Sequence, residues 1–446
     1  MERQNPRLLA ALAVQQFEES GDFLGEILDS FLTSAKLTPL DRNLFTELVY
    51  GTVRMKMNLD YIIQQFSTRR LEKIESRILQ VLRVGVYQLF YLDRVPARAA
   101  VHEAVDSARR LGRPGAAGFV NGILRGILRG REGLRYPAAA DEPLAYLSVR
   151  YSFPQWMVED WLNRFGIVEA EELCRAFNQP APTTLRINTS RLSVAEAARH
   201  FAERGAVVQA GRWAPDVITV SPGHLAVADE LLSQGAYYIQ DEGSALIAHA
   251  VGPQPGDFIH DLCSAPGGKT THIAQLMGGV GEIWAWDISA ERLAKVAENA
   301  ERQGWHIIKL RQGDASSPLA APQAHRVLVD APCSGLGTMG HRPDVRWRRT
   351  PADVKELAEL QRRILSTAAS LVRPGGRLIY SVCTITGAEG EETAHWFLRN
   401  YPDFAAGELP TWFPADSGLP SHMRLLLPHK HGTDGFFVAV FANDRR

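Results

Sequence analysis

Hydrophobic residues recur every third or fourth position through the first part of the chain, then give way to short apolar runs separated by polar turns. Behind Asn5-Pro6, a capping residue followed by proline at the first helical position, Leu9, Leu12, Ala13 and Phe17 fall on one helical face. Thr38-Pro39-Leu40-Asp41 resembles a capping box opening a second helix, with Leu40, Leu44 and Leu48 in register. Ile78, Leu82, Val86, Leu89 and Phe90 make another stripe, and Val101, Val105 and Ala108 a further one ending at Gly112. These stripes predict an all-α bundle over residues 1–135.

Prolines 137, 143 and 154 then punctuate the chain, and Thr184 to Asn188 and Val217 to Val220 read as strands flanking a helix over Val194 to Arg204. Residues 136–235 are therefore expected to be a small α+β connector. From residue 236 to 446, strand and helix patterns alternate. Phe258-Ile259-His260 leads into a glycine loop, Ile283 to Trp286 ends at Asp287, and a helix bearing Leu293, Val296, Ala297 and Ala300 follows. His306 to Leu310 precedes Gly313-Asp314, Val327 to Val329 precedes Asp330, and Leu378 to Tyr380 precedes Cys383. Such alternation predicts an α/β, Rossmann-like parallel sheet with helices on both faces. Met423 to Leu427 and Phe436 to Phe441 look like a terminal β-hairpin.

In sheets of this kind ligands gather at the carboxyl ends of strands, and that is where the unusual polar residues fall. Asp261 opens Leu262-Cys263-Ser264-Ala265-Pro266-Gly267-Gly268-Lys269-Thr270. Gly267 and Gly268 allow close backbone approach, and the helix start offers free N–H groups. Neither the Walker spacing nor G-x-G-x-x-G is present. Asp287, 26 residues after Asp261, is placed to accept both hydroxyls of a ribose, and Asp314 is placed to reach an adenine amino group. Asp330-Ala331-Pro332-Cys333 and Tyr380-Ser381-Val382-Cys383 each set a cysteine just past a strand. A thiolate suits addition to C6 of a pyrimidine, which makes C5 reactive toward a methyl donor. A carboxylate at Asp330 suits the exocyclic amine and N3 of cytosine. Chemistry alone leaves Cys333 and Cys383 equally eligible as nucleophile.

Composition narrows the setting. The 446 residues are 45% hydrophobic and 22% charged, ordinary values for a globular chain long enough for several cores. The net charge of −1 conceals an excess of 20 Lys and Arg over 15 Asp and Glu in residues 1–140. Arg109, Arg110, Arg113, Arg125, Arg129, Arg131 and Arg135 crowd the end of the bundle and suit a phosphate-bearing partner. Four cysteines fit neither a zinc cluster nor a disulfide scaffold, and no apolar run approaches 18 residues. A reducing, cytoplasmic setting without membrane or metal is expected.

The set Asp261…Gly-Gly-Lys-Thr, Asp287, Gly313-Asp314, Asp330-Ala-Pro-Cys333 and Tyr380-Ser-Val-Cys383 resembles the S-adenosylmethionine-dependent RNA cytosine-5 methyltransferases. Asn178-Gln179-Pro180 through Asn188 is similar to that family's segment ahead of the catalytic domain. The helical front, with Asp41-Arg42 to Tyr50-Gly51 and Val120 to Arg125, is similar to the NusB-type RNA-binding domain. The fusion resembles the bacterial 16S ribosomal RNA branch called Sun, Fmu or RsmB. That resemblance implies Cys383 as nucleophile, Cys333 as the cysteine that aids product release, and Asp330 between donor and target base. It implies Cys263, Ser264, Ala265, Pro266, Gly267, Gly268 and Lys269, with Asp287, Asp314 and Asp330, around S-adenosylmethionine. The implied partner is 16S ribosomal RNA, free or in an early ribosomal particle, with no obligate protein partner. His341, Arg342, Arg346, Trp347, Arg348 and Arg349, in the loop after Cys333, are candidate RNA contacts. This chain departs from the family pattern at Ser264, at Val382 and Thr384, in the order His341-Arg342-Pro343-Asp344, and at Ala388-Glu389-Gly390. A cytosine-5 methyltransferase of another RNA or of DNA, and a non-catalytic RNA-binding assembly factor, are the competing readings.

Overall fold

Capping side chains set the front helices where the sequence marks them. Asn5 Oδ1 accepts from the backbone N–H of Arg7 and Leu8 at 2.9 and 3.4 Å, and Thr38 Oγ1 accepts from that of Asp41 at 3.2 Å. The computed structural model describes residues 5–112, 114–221, 230–415 and 418–445, so Arg113 lies outside the described residues. The first compact unit comprises Met1–Asn178 with Arg342–Arg348. It contains α1 (Pro6–Glu19), α2 (Leu24–Ser34), α3 (Pro39–Arg54), α4 (Lys56–Phe66), α5 (Ser76–Tyr91), α6 (Ala97–Leu111), α7 (Ala116–Gly130), α8 (Pro143–Tyr151) and α9 (Gln155–Asn178), the last kinked at Gly166.

The core of this unit joins Ala10, Val14 and Phe17 of α1 to Phe45, Leu48 and Val49 of α3, Ile78, Leu82 and Val86 of α5, and Leu124 and Ile127 of α7. Two expected stripes are therefore rotated. Leu9 and Leu12 are only half-buried, and Leu40 is 80% exposed. A helical repeat of 3.6 admits overlapping apolar stripes, and the large side chains of neighbouring helices select among them.

The second unit comprises Gln179–His341 and Arg349–Arg446. It begins with β1 (Thr183–Ile187), α10 (Val194–Ala202), β2 (Val208–Ala210), β3 (Val217–Val220), α11 (Glu230–Ser233) and β4 (Tyr237–Ile239). These strands form an antiparallel sheet of order β2-β3-β1-β4 over Leu185, Ile187, Phe201 and Tyr237. There follow α12 (Glu242–Val251), β5 (Phe258–Asp261), α13 (Gly268–Leu276), β6 (Glu282–Asp287), α14 (Ala290–Gln303), β7 (Ile308–Gln312) and β8 (Ala324–Asp330). The chain ends with α15 (Val345–Arg348), α16 (Pro351–Leu371), β9 (Val372–Val382), α17 (Glu391–Asn400), β10 (Phe404–Ala406), β11 (Met423–Leu426), α18 (Pro428–His431) and β12 (Phe436–Asn443).

The large sheet runs β10-β12-β9-β8-β5-β6-β7, with β11 also paired to β12. From β9 to β7 all pairs are parallel, and β12 returns antiparallel between β9 and β11, so the expected terminal pairing forms. Consecutive buried residues such as Val327-Leu328-Val329 and Leu378 to Val382 mark strands covered on both faces. Chain order reverses between β5 and β8, where the connections leave in opposite directions and open a crevice at the strand ends.

Residues 136–235, read as one connector, divide at 178/179. Pro143 is the first residue of α8, and Pro154 immediately precedes α9. These prolines begin helices whose aromatic cluster, with Phe153 and Trp161 centroids 5.1 Å apart and Trp161 and Phe177 5.9 Å apart, closes the helical unit.

In the loop after Cys333, His341 and Arg342 are exposed, whereas Arg346, Trp347 and Arg348 turn into the helical unit. Arg346 is fully buried in the helical unit, 3.9 Å over the Phe153 ring, and donates to the carbonyls of Arg54 and Ser152 and to Asn178 Oδ1. Trp347 Nε1 donates to Val53 O at 2.7 Å, and Arg348 donates to Phe17 O and Asp22 O. These side chains satisfy helix-end carbonyls, which cannot be left unpaired inside, and are not presented to RNA.

Candidate active site

At the end of β5 the chain turns through the glycine loop into α13. Gly267 stands at φ +103°, and a Cβ there would meet Val296 at 3.1 Å, so only glycine fits between loop and α14. Asn299 Nδ2 donates to Pro266 O, and Arg292 donates to Ala265 O, fixing the loop from that helix. Ser264 N–H and Oγ both donate to Trp286 O, tying β5 to β6. From below, the fully buried Arg186 of β1 donates to Gly268 O, Gln240 Oε1, Thr271 Oγ1 and Gln303 Oε1. Burial lowers the Arg186 pKa to about 10. The sequence noted this segment but not this role, because the partners lie far along the chain.

Asp261 is buried. Its Oδ2 accepts from Thr270 Oγ1 at 2.7 Å, while Oδ1 is buried without a partner among the described residues. Burial, aided by the Asp330 charge, pushes its pKa up to about 7. Cys263 is held well above the usual thiol range by burial and by Asp261, Asp330 and Asp287. These carboxylates make an acidic floor suited to a cation. Asp287 accepts from Ser289 N–H at 3.0 Å and lies 3.6 Å from Arg292. Asp314 is exposed, and its Oδ1 accepts from Ser316 N–H and Oγ; among the described residues no hydrogen bond joins it to the others.

Across the crevice, Lys269 Nζ lies 2.7 Å from Asp330 Oδ2 and 5.2 Å over the Phe436 ring. Against the effect of burial, Asp330 raises the Lys269 pKa, so the ammonium persists. Ser381 Oγ donates to Asp330 Oδ1 at 2.8 Å. Asp330 is thus oriented on both oxygens, by β9 and by α13.

Beyond it, Cys333 Sγ and Cys383 Sγ lie 3.1 Å apart as free thiols. The hydrogen bond with Cys383, followed by burial, holds Cys333 well above the usual thiol range. Beneath the pair sits Glu389, which sequence reasoning treated only as a departure from pattern. It is fully buried and accepts from Ser334 N–H and Oγ, Thr386 Oγ1 and Gln361 Nε2. Tyr380 Oη donates to Gln361 Oε1 and to Glu389 O. Gly337 N–H donates to Cys383 O, and Gly435 N–H to Gly337 O. Each cysteine is therefore fixed by a network that also holds the other. His341 Nδ1 lies 3.0 Å from Asp434, whose carboxylate, against burial, raises the imidazole to about 9.

The arrangement can hold a cationic, ribose-bearing cofactor at the β5 and β6 ends. It presents a paired thiol and an oriented carboxylate to a planar base at the β8 and β9 ends.

Comparison with known proteins follows the same division. A model described as 16S rRNA methyltransferase RsmB/F matches residues 248–442, NusB family matches 4–129, and Methyltr_RsmF/B-like, ferredoxin-like domain matches 153–224. The "Probable ribosomal RNA small subunit methyltransferase B" of Synechocystis sp. is 38% identical, covering 97% of this chain and 98% of that protein. Its counterpart of the same name in Bacillus subtilis is 36% identical, covering 98% of each. Among solved structures, that of PH0851 is 27% identical with a TM-score of 0.81, covering 99% of each chain. That of NSun6 from Pyrococcus horikoshii with SFG, 24% identical with a TM-score of 0.61 over 66% of this chain and 100% of that one, shares the fold.

Proposed function

Because this chain belongs to the 16S rRNA methyltransferase RsmB/F family, we propose that it methylates C5 of one cytidine of 16S ribosomal RNA through a transient bond from Cys383 Sγ to C6. Membership makes it an S-adenosylmethionine-dependent ribosomal RNA methyltransferase. The finer reading rests on one observation, the 3.1 Å approach of two thiols beside an oriented carboxylate.

Cytosine C5 becomes nucleophilic only after a nucleophile has added at C6. The hydrogen bond to Cys383 and burial push the Cys333 thiol up, which favours its keeping the proton, and the family resemblance makes Cys383 the nucleophile. Asp330, aligned by Ser381 and Lys269, suits the exocyclic amine and N3, where addition at C6 makes the ring more basic. Cys333 stands within proton-transfer reach of Cys383 and suits the release step. The target base must leave any stack to reach this crevice.

For the methyl donor, the unpartnered Asp261 Oδ1 and the acidic surroundings of Cys263 fit a ligand bearing an ammonium and a sulfonium. Residues 263–269, Asp287, Asp314 and Asp330 would hold it. When bound it supplies an electrophilic methyl group. A substrate of this kind puts the protein's work in the cytoplasm; among the described residues no helix is long and apolar enough to cross a membrane.

The test is a denaturing gel of protein incubated with ribosomal RNA and S-adenosylmethionine. Cys333→Ala is expected to accumulate a covalent RNA adduct, and Cys383→Ala to form none and transfer no methyl. The reverse pattern would make Cys333 the nucleophile, as in DNA enzymes of this chemistry. No labelled-methyl transfer by the native chain to any RNA would leave only a binding factor.

A further inference from the structure

His341 faces acceptors at both ring nitrogens. Nδ1 lies 3.0 Å from Asp434 Oδ1, and Nε2 lies 3.4 Å from the carbonyl of Pro182. A neutral imidazole donates from one nitrogen only, so a ring set between two acceptors is suited to the doubly protonated cation. The charged groups that face it are Asp434, in the segment before β12, and Asp241, the cap of α12. One oxygen of each carboxylate and one ring nitrogen of His341 lie within 4.8 Å of one another. Asp241 Oδ1 accepts from the N–H of Gly243 and from that of Asp434. Two carboxylates so close repel, and Asp434 adds to burial in pushing the Asp241 carboxyl up. An imidazolium beside both relieves that repulsion.

The segment held by this cluster reaches the reacting groups. After Asp434, Gly435 N–H donates to Gly337 O at 2.8 Å, and Gly337 N–H donates to Cys383 O at 3.0 Å. A Cβ on Gly337 would collide with the Gly435 carbonyl, so the two backbones are in contact. The next residue, Phe436, carries the ring beneath Lys269 Nζ, and Lys269 pairs with Asp330. Residues 435 and 436 therefore support both the Cys383 backbone and the ammonium that orients the Asp330 carboxylate. Asp434 itself is nearly buried. Without a cation its carboxylate must take up a proton or turn toward water, and turning carries residues 435 and 436 with it.

We propose that His341 is a positioning residue for methyl transfer: by holding Asp434 as an ion pair, it fixes the backbone of Cys383 and the Lys269–Asp330 pair. It acts through Asp434 and touches neither target base nor methyl donor. The order His341-Arg342-Pro343-Asp344 is one of this chain's departures from the family pattern, so the role falls to a residue of this chain's own. This rests on the reading of Cys383 as the nucleophile.

The measurement is single-turnover methyl transfer to ribosomal RNA by the full-length protein, from about pH 7 to about pH 10. His341→Ala should lower the rate about tenfold at about pH 8. His341→Asn, whose amide offers an N–H in place of Nδ1, should recover part of that loss without the charge. The ratio of the native rate to the His341→Asn rate should stay level to about pH 8 and fall toward one through about pH 9, where the imidazolium gives up its proton. Thiolate formation raises both rates alike and cancels in the ratio. An alanine variant as fast as the native chain overturns the role. A slow alanine variant with a ratio independent of pH overturns the part played by the charge and leaves His341 a packing residue. A native chain that transfers no methyl overturns the reading of Cys383 as well, so the two failures are told apart.

Discussion

Two sulfur atoms 3.1 Å apart, Cys333 and Cys383, can share a hydrogen bond only if one of them keeps a proton. That asymmetry lets neighbouring thiols have different tasks, and the adduct experiment reads it out. Asp261 makes a second residue-scale prediction. Its folded pKa of about 7 lies above the ordinary 3.8, so its contribution to stability is full below about pH 3.8 and lost as pH rises to about 7. Asp261→Asn should flatten the pH dependence of the thermal midpoint across that window. If the carboxylate pairs with the donor's ammonium, native S-adenosylmethionine affinity should strengthen from about pH 6 to about pH 8, and the Asn variant should be flat and weaker. Calorimetric titration at both pH values checks this; a native affinity that does not change would end the pairing idea. Asp261, Asp287 and Asp330 were legible in the sequence because each closes an apolar run. The partner of Asp330 was not. Lys269 looks like a ligand for the cofactor loop, yet its ammonium goes to a carboxylate 61 residues away.

Among elements, the decisive joint lies between the ends of β8 and β9. Glu389 precedes α17 and accepts four hydrogen bonds from Ser334, Thr386 and Gln361, which belong to both cysteine loops and to α16. A carboxylate is acceptor-only, whereas an amide must turn an N–H₂ toward one of those donors. Glu389→Gln should therefore cost about 2 kcal/mol of stability and slow adduct formation at least tenfold, with S-adenosylmethionine affinity unchanged. Stopped adduct assays alongside urea unfolding test this. A normal adduct rate would reduce Glu389 to a packing residue. Nothing in the local sequence marks Glu389 for this role, since its partners Ser334 and Gln361 are 55 and 28 residues distant. Helix caps show the opposite case. Asn5 and Thr38 bond to N–H groups within three residues, so their positions could be read directly.

For the molecule as a whole, residues 342–348 matter most, because they interrupt the second unit's stretch of chain to pack with the first. Arg346 is bonded within that unit to Arg54, Ser152 and Asn178, from 168 to 292 residues away. Arg346→Ala should destabilise the protein by about 3 kcal/mol, because it leaves a cavity beside Phe153 and the buried oxygens of Arg54, Ser152 and Asn178 without their donor. Thermal unfolding measures it, and a shift no larger than that of an exposed arginine such as Arg129→Ala would refute the role. The sequence alone determined the helical front, the alternating sheet and the strand-end carboxylates and thiols, because periodicity, caps and strand ends are written within a few neighbouring residues. Tertiary structure alone decided which apolar stripe faces inward, that Arg346 and Trp347 are buried, and that Arg186, Lys269 and Glu389 brace the site. Those outcomes depend on desolvation and on hydrogen-bond partners that only folding brings within reach.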